Sequence, residues 1–329
     1  MPLSLRRGRV TGILEQHDGL VRLEVDGLPC AAYPELTGPV ALDDEVLVNS
    51  QARELELGSG GFDVLYANLT RGLELPAQVG AHVVKLPYTP AQFAALHAEE
   101  GAELAAELGG MPVVCCSLHS QLAAVCAGLG EGVRVAYVQL EGGALPLGLS
   151  DTVRALKRRG LLASTVSSGA CFGGEVECVN VASALAWAAA AGHQAVVCAV
   201  GPGIVGTGSR LGHGGVAAAA AANFGSALGG APVLAVRVSS ADERERHRGV
   251  SHHTRAVVEL CLGGDVRIAW PKGLEPPEWL EPREEVDVEG WEEACAGLPL
   301  SHMDRGPDVE PWFFAAAFAA GRVARGLLG

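Results

Sequence analysis

Aromatic residues make up only 5% of this 329-residue chain, too few to build a stacking platform for single-stranded nucleic acid. Positive charge is also scarce: 24 Lys plus Arg face 38 Asp plus Glu, a formal net charge of −14. A surface of that sign repels phosphate backbones and anionic lipid, so neither nucleic acid nor a membrane is an expected partner. No C-x-x-C pair occurs, which removes the usual spacing of a structural zinc site. The nine cysteines are scattered, two of them adjacent at Cys115 and Cys116, and several lie inside apolar runs. Cysteine in that setting acts as a small buried hydrophobe, not as part of a disulfide framework. The opening residues MPLSLRRGRV lack the apolar core of a secretory leader. No apolar run in a suitable context reaches the ~18 residues of a membrane span. These absences together predict a soluble, cytoplasmic protein.

Hydrophobic residues, at 49%, are plentiful enough for a full core, and the length suits about two domains. Residues 1–75 carry short alternating runs, such as Leu20 to Val25 and Glu45 to Val48, separated by Asp-Gly, Gly-Pro and Asp-Asp turns. This pattern predicts a small β-barrel or sandwich, with Leu57 to Asp63 (LGSGGFD) as a bent turn near its end. An oligonucleotide-binding barrel has the wrong sign here: six Arg and no Lys against twelve Asp plus Glu give −6. A packing or oligomerisation role fits the segment better.

Residues 76–329 change period. Apolar runs at Ala81–Leu86, Pro112–Ser117, Val133–Leu140, Leu161–Val166, Ala195–Val200, Pro232–Val238 and Asp265–Trp270 alternate with helical stretches. The expected helices are Pro90–Leu108, Gln121–Leu129, Asp151–Arg159, Asn180–Ala191, Val216–Leu228 and His253–Leu262. Such alternation predicts an α/β domain with a doubly wound, mostly parallel, Rossmann-like sheet. Past Trp270 the segment PKGLEPPEWLEPREE reads as extended surface chain, and Pro311–Arg325 as a last helix whose aromatic residues dock on the core.

The stretch Ala195 to Leu228 organises this domain. A buried strand leads into a loop with seven glycines in fifteen positions, and then into an alanine-rich helix ending at Gly229-Gly230. Strand, glycine loop and helix N-terminus form the local plan of anion sites in α/β proteins. The expected ligand-binding set is Ser168, Gly201, Gly203, Gly206, Thr207, Gly208, Ser209, Arg210, His213 and Gly214, with Arg210 as a bidentate clamp on a small anionic, phosphorylated or nucleotide-like ligand. No cofactor is assigned. GPGIVG matches G-x-G-x-x-G, but the loop runs on for nine residues before the helix and no acidic residue ends the next strand. No Gly-Lys-Ser/Thr follows either, so it is not a P-loop.

Polar residues gather after successive strands, where open parallel sheets bind ligands. His119 follows the second strand, Cys171 the fourth, and His252 the sixth; these three are the candidate catalytic groups. Gly169-Ala170-Cys171-Phe172-Gly173 has the form of a nucleophile elbow between strand and helix, similar to the G-x-C-x-G turn of class I glutamine amidotransferases, although the late His-x-Glu of those enzymes is missing. A metal could be held by one of the tandem His252-His253 together with His119, His213, Glu175 or Asp304. Neighbouring helical positions point ~100° apart, so both tandem histidines are not expected on one ion. His119, Ser168, Gly203, Arg210 and His252 are expected around one cleft. The competing readings are a non-catalytic ligand sensor, or a scaffold that forms a homo-oligomer, and a metal- or thiol-dependent hydrolase.

LELGSGGFD, KLPYTPAQ, EGGALPLGLSD, FGGEVECVNV, GPGIVGTGS and RGVSHHT together resemble a bacterial family known only as a domain of unknown function. The resemblance covers most of the chain. It implies a soluble bacterial protein and carries over neither a reaction nor a catalytic residue.

Overall fold

The computed structural model describes residues 3–57, 61–72, 75 and 78–328, which form two units, 1–96 and 97–329. In the first, strands β1 (Leu5–His17), β2 (Leu20–Val25), β3 (Leu28–Ala32), β4 (Glu45–Asn49) and β5 (Asp63–Asn68) close into a barrel of order β1-β2-β3-β5-β4. The Asp26-Gly27 turn joins β2 to β3 with both residues at positive φ, the conformation that a two-residue hairpin matched to strand twist requires. Alternate residues fill the interior, among them Val10, Leu23, Val25, Val46, Val48 and Leu65. Short helices α1 (Pro34–Thr37) and α2 (Gln51–Glu54) lie in the connections. Of the expected turn at Leu57 to Asp63, residues 58–60 lie outside the described set.

Two expectations fail just after the barrel. Val83–Lys85 (β6) is a strand, but it pairs antiparallel with Phe93–Ala95 (β7) and takes no part in the parallel sheet. The helix expected over Pro90–Leu108 is absent, replaced by β7, a 3-10 turn at Ala98–Glu100 and irregular chain. Alanine-rich composition favours helix only weakly, and strand pairing outweighs it here. The division between units at Leu96 and His97 falls inside that expected helix, some twenty residues beyond the boundary anticipated near 75.

The second unit is built on eight parallel strands in the order β11-β10-β9-β12-β8-β13-β16-β17. They are β8 (Pro112–Cys116), β9 (Val135–Leu140), β10 (Ser164–Ser168), β11 (Val176–Cys178), β12 (Ala195–Val200), β13 (Ala231–Ala235), β16 (Arg267–Pro271) and β17 (Glu284–Val286). β14 (Val238–Ser239) and β15 (Gly249–Val250) form a separate antiparallel pair between β13 and β16. Every neighbouring pair in the large sheet is parallel, as the α/β alternation predicts. The two edge strands escape the apolar pattern: β11 and β17 are three residues long and carry glutamates.

Both sheet faces are buried, and the strands divide their side chains between two cores. On β12, Ala195, Val197 and Ala199 face one core, whereas Val196, Cys198 and Val200 face the other. Helices α3 (Leu122–Leu129), α4 (Asp151–Arg158), α8 (Trp291–Ala294) and α9 (Pro311–Gly326) cover the first face. Helices α5 (Val181–Ala190), α6 (Ala217–Ala227) and α7 (His252–Leu260) cover the second. This is a doubly wound sheet. The docking helix α9 buries Phe313, Phe314 and Phe318, and it approaches α3 so closely that a side chain on Gly128 or Gly321 would overlap the other helix's backbone. At the end of α6 the amides of Gly230 and Gly229 bond Gly225 O and Ser226 O, a Schellman cap with Gly229 at positive φ. Eight of the nine cysteines are buried.

Candidate functional site at the carboxyl edge of the sheet

The strand order sets β10, β9, β12, β8 and β13 side by side, so the loops that follow them leave from one edge. The turns at Gly109, Gly192 and Gly229 precede β8, β12 and β13 and lie at the other edge, where Gly110 N donates to Gly229 O. Parallel strands lie ~4.8 Å apart, so five strand ends span about 20 Å.

The glycine-rich loop after β12 folds back on itself as a hairpin. Gly214 N donates to Val205 O, Thr207 N to Gly212 O, and Gly206 faces His213. Its tip satisfies its own polar groups: the hydroxyls of Thr207 and Ser209 lie 2.9 Å apart, and Ser209 Oγ accepts from Gly212 N. Arg210 is 61% exposed there and pairs with Glu259 at 2.6 Å. Gly208 meets nothing closer than Arg246, 3.8 Å from where its Cβ would stand. The foot of the hairpin is different. A side chain on Gly214 would overlap Gly142 O, and one on Gly201 would overlap Ala144 O, so two βα loops touch backbone to backbone. Val205 N and Ala144 N bond across this seam to Gly142 O and Pro202 O. At Gly215, where the chain turns into α6, an added Cβ would lie 3.1 Å from His213 Nδ1 and 3.2 Å from Ser117 Cβ.

Four imidazoles collect beside that foot. His213 stacks on His253 with centroids 3.7 Å apart, and His252 lies 4.5 Å from His253, 4.7 Å from His247 and 5.4 Å from His213. Ser251 caps α7 through His253 N, which puts both tandem histidines in the first helical turn. His213, His252 and His253 each offer a ring nitrogen, all within 4.8 Å of one another. The tandem rings, expected to point ~100° apart, thus both have a nitrogen close to His213, because side chains in a first helical turn can lean toward a group outside the helix. The expected metal partner His119 is not in this group. Burial first, and then the facing Arg237 charge, pushes His253 down to about 2 and His247 to about 3. His213 and His252 are lowered chiefly by burial.

Next to the imidazoles lies a ring of charge. Buried Arg237 gives Nη1 to His253 Nδ1 at 3.1 Å and sits 3.5 Å from Asp242. Asp242 accepts both Nε and Nη2 of Arg244, whose hydrogen bonds hold its carboxyl well below the usual range. Arg305 pairs with the fully buried Glu310 at 3.0 Å, and Glu310 also accepts from Ser239 Oγ and Ser240 N. Three guanidinium groups thus face two carboxylates. Burial lowers Arg237 to about 10, which still leaves it charged at neutral pH.

Several buried polar atoms at this edge have no hydrogen-bond partner: Ser117 Oγ, His213 Nδ1, Arg237 Nε, His252 Nε2, His302 Nε2 and Arg305 Nη2. His213 Nε2 faces the carbonyl of Arg210 at 3.1 Å, so it carries the proton and leaves Nδ1 with a bare lone pair. Orphaned buried groups of this kind call for a missing partner.

The remaining expected residues lie apart from the imidazoles and are engaged. His119 Nε2 bonds Ser150 Oγ at 2.7 Å, and its Nδ1 lies 3.3 Å from Tyr137 Oη; burial brings it to about 4. Ser168 Oγ donates to Gln139 O. Gly203 adopts a positive φ in the loop. Cys171 is completely buried, and the chain beyond it enters β11, not a helix, so the strand–turn–helix of a nucleophile elbow is not formed. Glu175 pairs with Lys157 at 2.7 Å, and Asp304 is exposed. Arg237, His302, Arg305 and Glu310 went unmarked in the sequence. Arg237 reads as a strand end, and the other three sit in a charged, irregular segment where burial leaves no local signature.

The eight-stranded, doubly wound parallel sheet gives the second unit a Rossmann-like α/β architecture. The chain belongs to the family described as protein of unknown function DUF3866, whose model matches residues 30–321. No curated protein matches it. No helix among the described residues is long and apolar enough to cross a membrane.

Proposed function

We propose that the second unit binds, and acts on, a small anionic metabolite at the foot of the glycine hairpin. The observation that carries this reading is the charge ring: Arg237, Arg244 and Arg305 around Asp242 and Glu310, three cations against two anions. Arg237 is buried, whereas the side chains of Arg305 and Arg244 are 22% and 39% exposed, so water meets the surplus charge only in part and a counter-ion would stabilise it. Arg237 Nε makes no hydrogen bond, and Arg305 Nη2 makes none beyond its 3.6 Å ion pair with Asp242, so both can still donate to an anion, and a phosphoryl or carboxylate group suits a guanidinium fork. Ser117 Oγ adds a hydroxyl at the start of α6, where helix N–H groups favour negative charge. The clamp in this reading is buried Arg237 with half-buried Arg305, and Arg210 lies outside it. Of the competing readings, packing has its own support, since Gly201 and Gly214 allow two loops to touch.

The test is a thermal-shift titration with inorganic phosphate. Wild type should gain stability with rising phosphate by mass action, and Arg305→Gln, which balances the ring at two against two, should fold and lose that gain. A wild type indifferent to phosphate, phosphomonoesters and nucleotides alike would remove the reading.

A further inference from the structure

Beside the charge ring, the three histidines form an arrangement that the anion does not explain. We infer that His213, His252 and His253 form a binding site for one divalent transition-metal ion, with His213 Nδ1 and His252 Nε2 as its first two ligands. His213 supplies the clearest case. Its Nε2–H is fixed on the carbonyl of Arg210, which sets the tautomer and aims a bare Nδ1 lone pair inward. A carbonyl holding the far nitrogen of a ligating imidazole is the usual outer-shell device at metal sites. His252 Nε2 is the second buried ring nitrogen with no partner. The third ring, His253, gives its Nδ1 lone pair to Arg237 Nη1, so it joins the ion as that hydrogen bond is released.

Distances are close to what an ion needs. Tetrahedral Zn–N bonds of ~2.0–2.1 Å set ligand nitrogens about 3.3 Å apart. The ring nitrogens already lie within 4.8 Å of one another; His213 and His253 are stacked nearly parallel, so His253 must turn out of the stack to bring its in-plane lone pair onto the same ion. Imidazoles without a carboxylate or thiolate select zinc, cobalt, nickel or copper over magnesium and calcium. Three protein ligands would also leave a position for water, the arrangement of a catalytic site and not of a closed structural one. The neighbouring Arg237 cation opposes the ion, and the anion ring is not required for binding.

The experiment uses the full chain, stripped with chelator and dialysed against Zn²⁺ or Co²⁺ in a buffer free of phosphate, so that the anion reading and this one fail separately. Elemental analysis should find one ion per chain, and Co²⁺ should give visible ligand-field bands. His252→Ala should bind at least ~100-fold more weakly, since even outer-shell changes cost 10–100-fold. His119→Asn, which lies outside the trio, should bind as wild type does. If His252→Ala fails to fold, paramagnetically shifted imidazole resonances in Co²⁺-loaded wild type give the answer directly. Absence of stoichiometric uptake by wild type, or equal uptake by His252→Ala, overturns the inference and leaves a stacked cluster of neutral imidazoles.

Discussion

The tip and the foot of one hairpin differ in every respect that bears on function. Thr207, Gly208, Ser209 and Arg210 at the tip are exposed, and their polar groups close on one another or on Glu259. His213, Gly214 and Gly215 at the foot are packed against other loops, and His213 keeps a polar atom without a partner. The tip contains the residues that look most like a phosphate cradle in sequence: glycine, hydroxyl, arginine. The foot contains the unmet hydrogen-bonding capacity. Residue type therefore points to the tip and burial to the foot, because a buried unsatisfied atom is costly where an exposed satisfied one is neutral.

The largest effect should separate the two ends by backbone packing. Gly214→Ala forces a Cβ onto Gly142 O, a backbone atom that cannot step aside. Overpacking of this kind should cost about 3–4 kcal/mol and lower the unfolding midpoint of the second unit. Gly208→Ala, with open space at the tip, should stay within about 0.5 kcal/mol of wild type. Equal losses at the two positions would erase the difference between tip and foot.

Charge gives the second contrast. Glu310 is completely buried and accepts from Arg305, Ser239 and Ser240. Glu310→Gln keeps the shape and raises the surplus of the ring from one positive charge to two, a loss of about 3 kcal/mol for a broken buried pair. Glu259→Gln removes the exposed partner of Arg210 at the tip and should cost no more than ~0.5 kcal/mol. Chemical denaturation of both variants reads the ratio, and phosphate should recover part of the Glu310→Gln loss by binding more tightly to the more positive ring.

Much of this fold was legible before any coordinates. Val196, Cys198 and Val200 fill one face of β12 and Ala195, Val197 and Ala199 the other, so the strand reads as an unbroken apolar run, and it was placed at Ala195–Val200 correctly. Gly229 and Gly230 marked the end of α6 because only glycine takes the left-handed turn there without strain. The expected helix over Pro90–Leu108 failed because β6 supplied a pairing partner that local propensity does not see. The site was half legible. His213 and His252 were marked by position after strands, whereas Arg305 and Glu310 acquire their role from Asp242 and Ser239, more than sixty residues away. Burial of a charge is decided by such distant partners, and no window of sequence contains it.

A third group separates burial from satisfaction. His119 is half-buried but hydrogen-bonded like the tip, to Ser150 and beside Tyr137. Its folded value of about 4 lies below the ordinary 6.5, with burial as the main cause. The neutral ring is therefore the folded form, and the unfolded chain takes up the proton first. The stability this contributes is complete above pH 6.5 and is lost as pH falls from 6.5 toward 4. Full conversion of that difference is about 3 kcal/mol, and partial exposure of the ring brings the expected loss to about 2 kcal/mol. His119→Asn, which cannot charge, should show a flatter stability profile across the same window, measured by denaturation at successive pH values. Parallel profiles would mean that the ring is solvated when folded.

The smallest effect decides the comparison. Arg210 is the residue that sequence pattern names as the anion clamp, and its guanidinium lies on Glu259 at the exposed tip. If the foot is the site, Arg210→Ala removes one surface ion pair, worth ~0.2–1 kcal/mol, and leaves the response to phosphate unchanged. If the tip is the site, the same substitution removes a charged hydrogen bond to the ligand, worth ~1.5–3 kcal/mol of binding, or roughly 10–150-fold in affinity. The two outcomes differ in the phosphate titration and not in the stability of the apo protein, so both must be measured on the same sample. Arg305→Gln run beside it supplies the opposite expectation: a folded apo protein, destabilised by the loss of the cation that pairs with buried Glu310, and a lost phosphate response. A phosphate response that survives in Arg305→Gln and vanishes in Arg210→Ala would move the site from the buried ring to the hairpin tip.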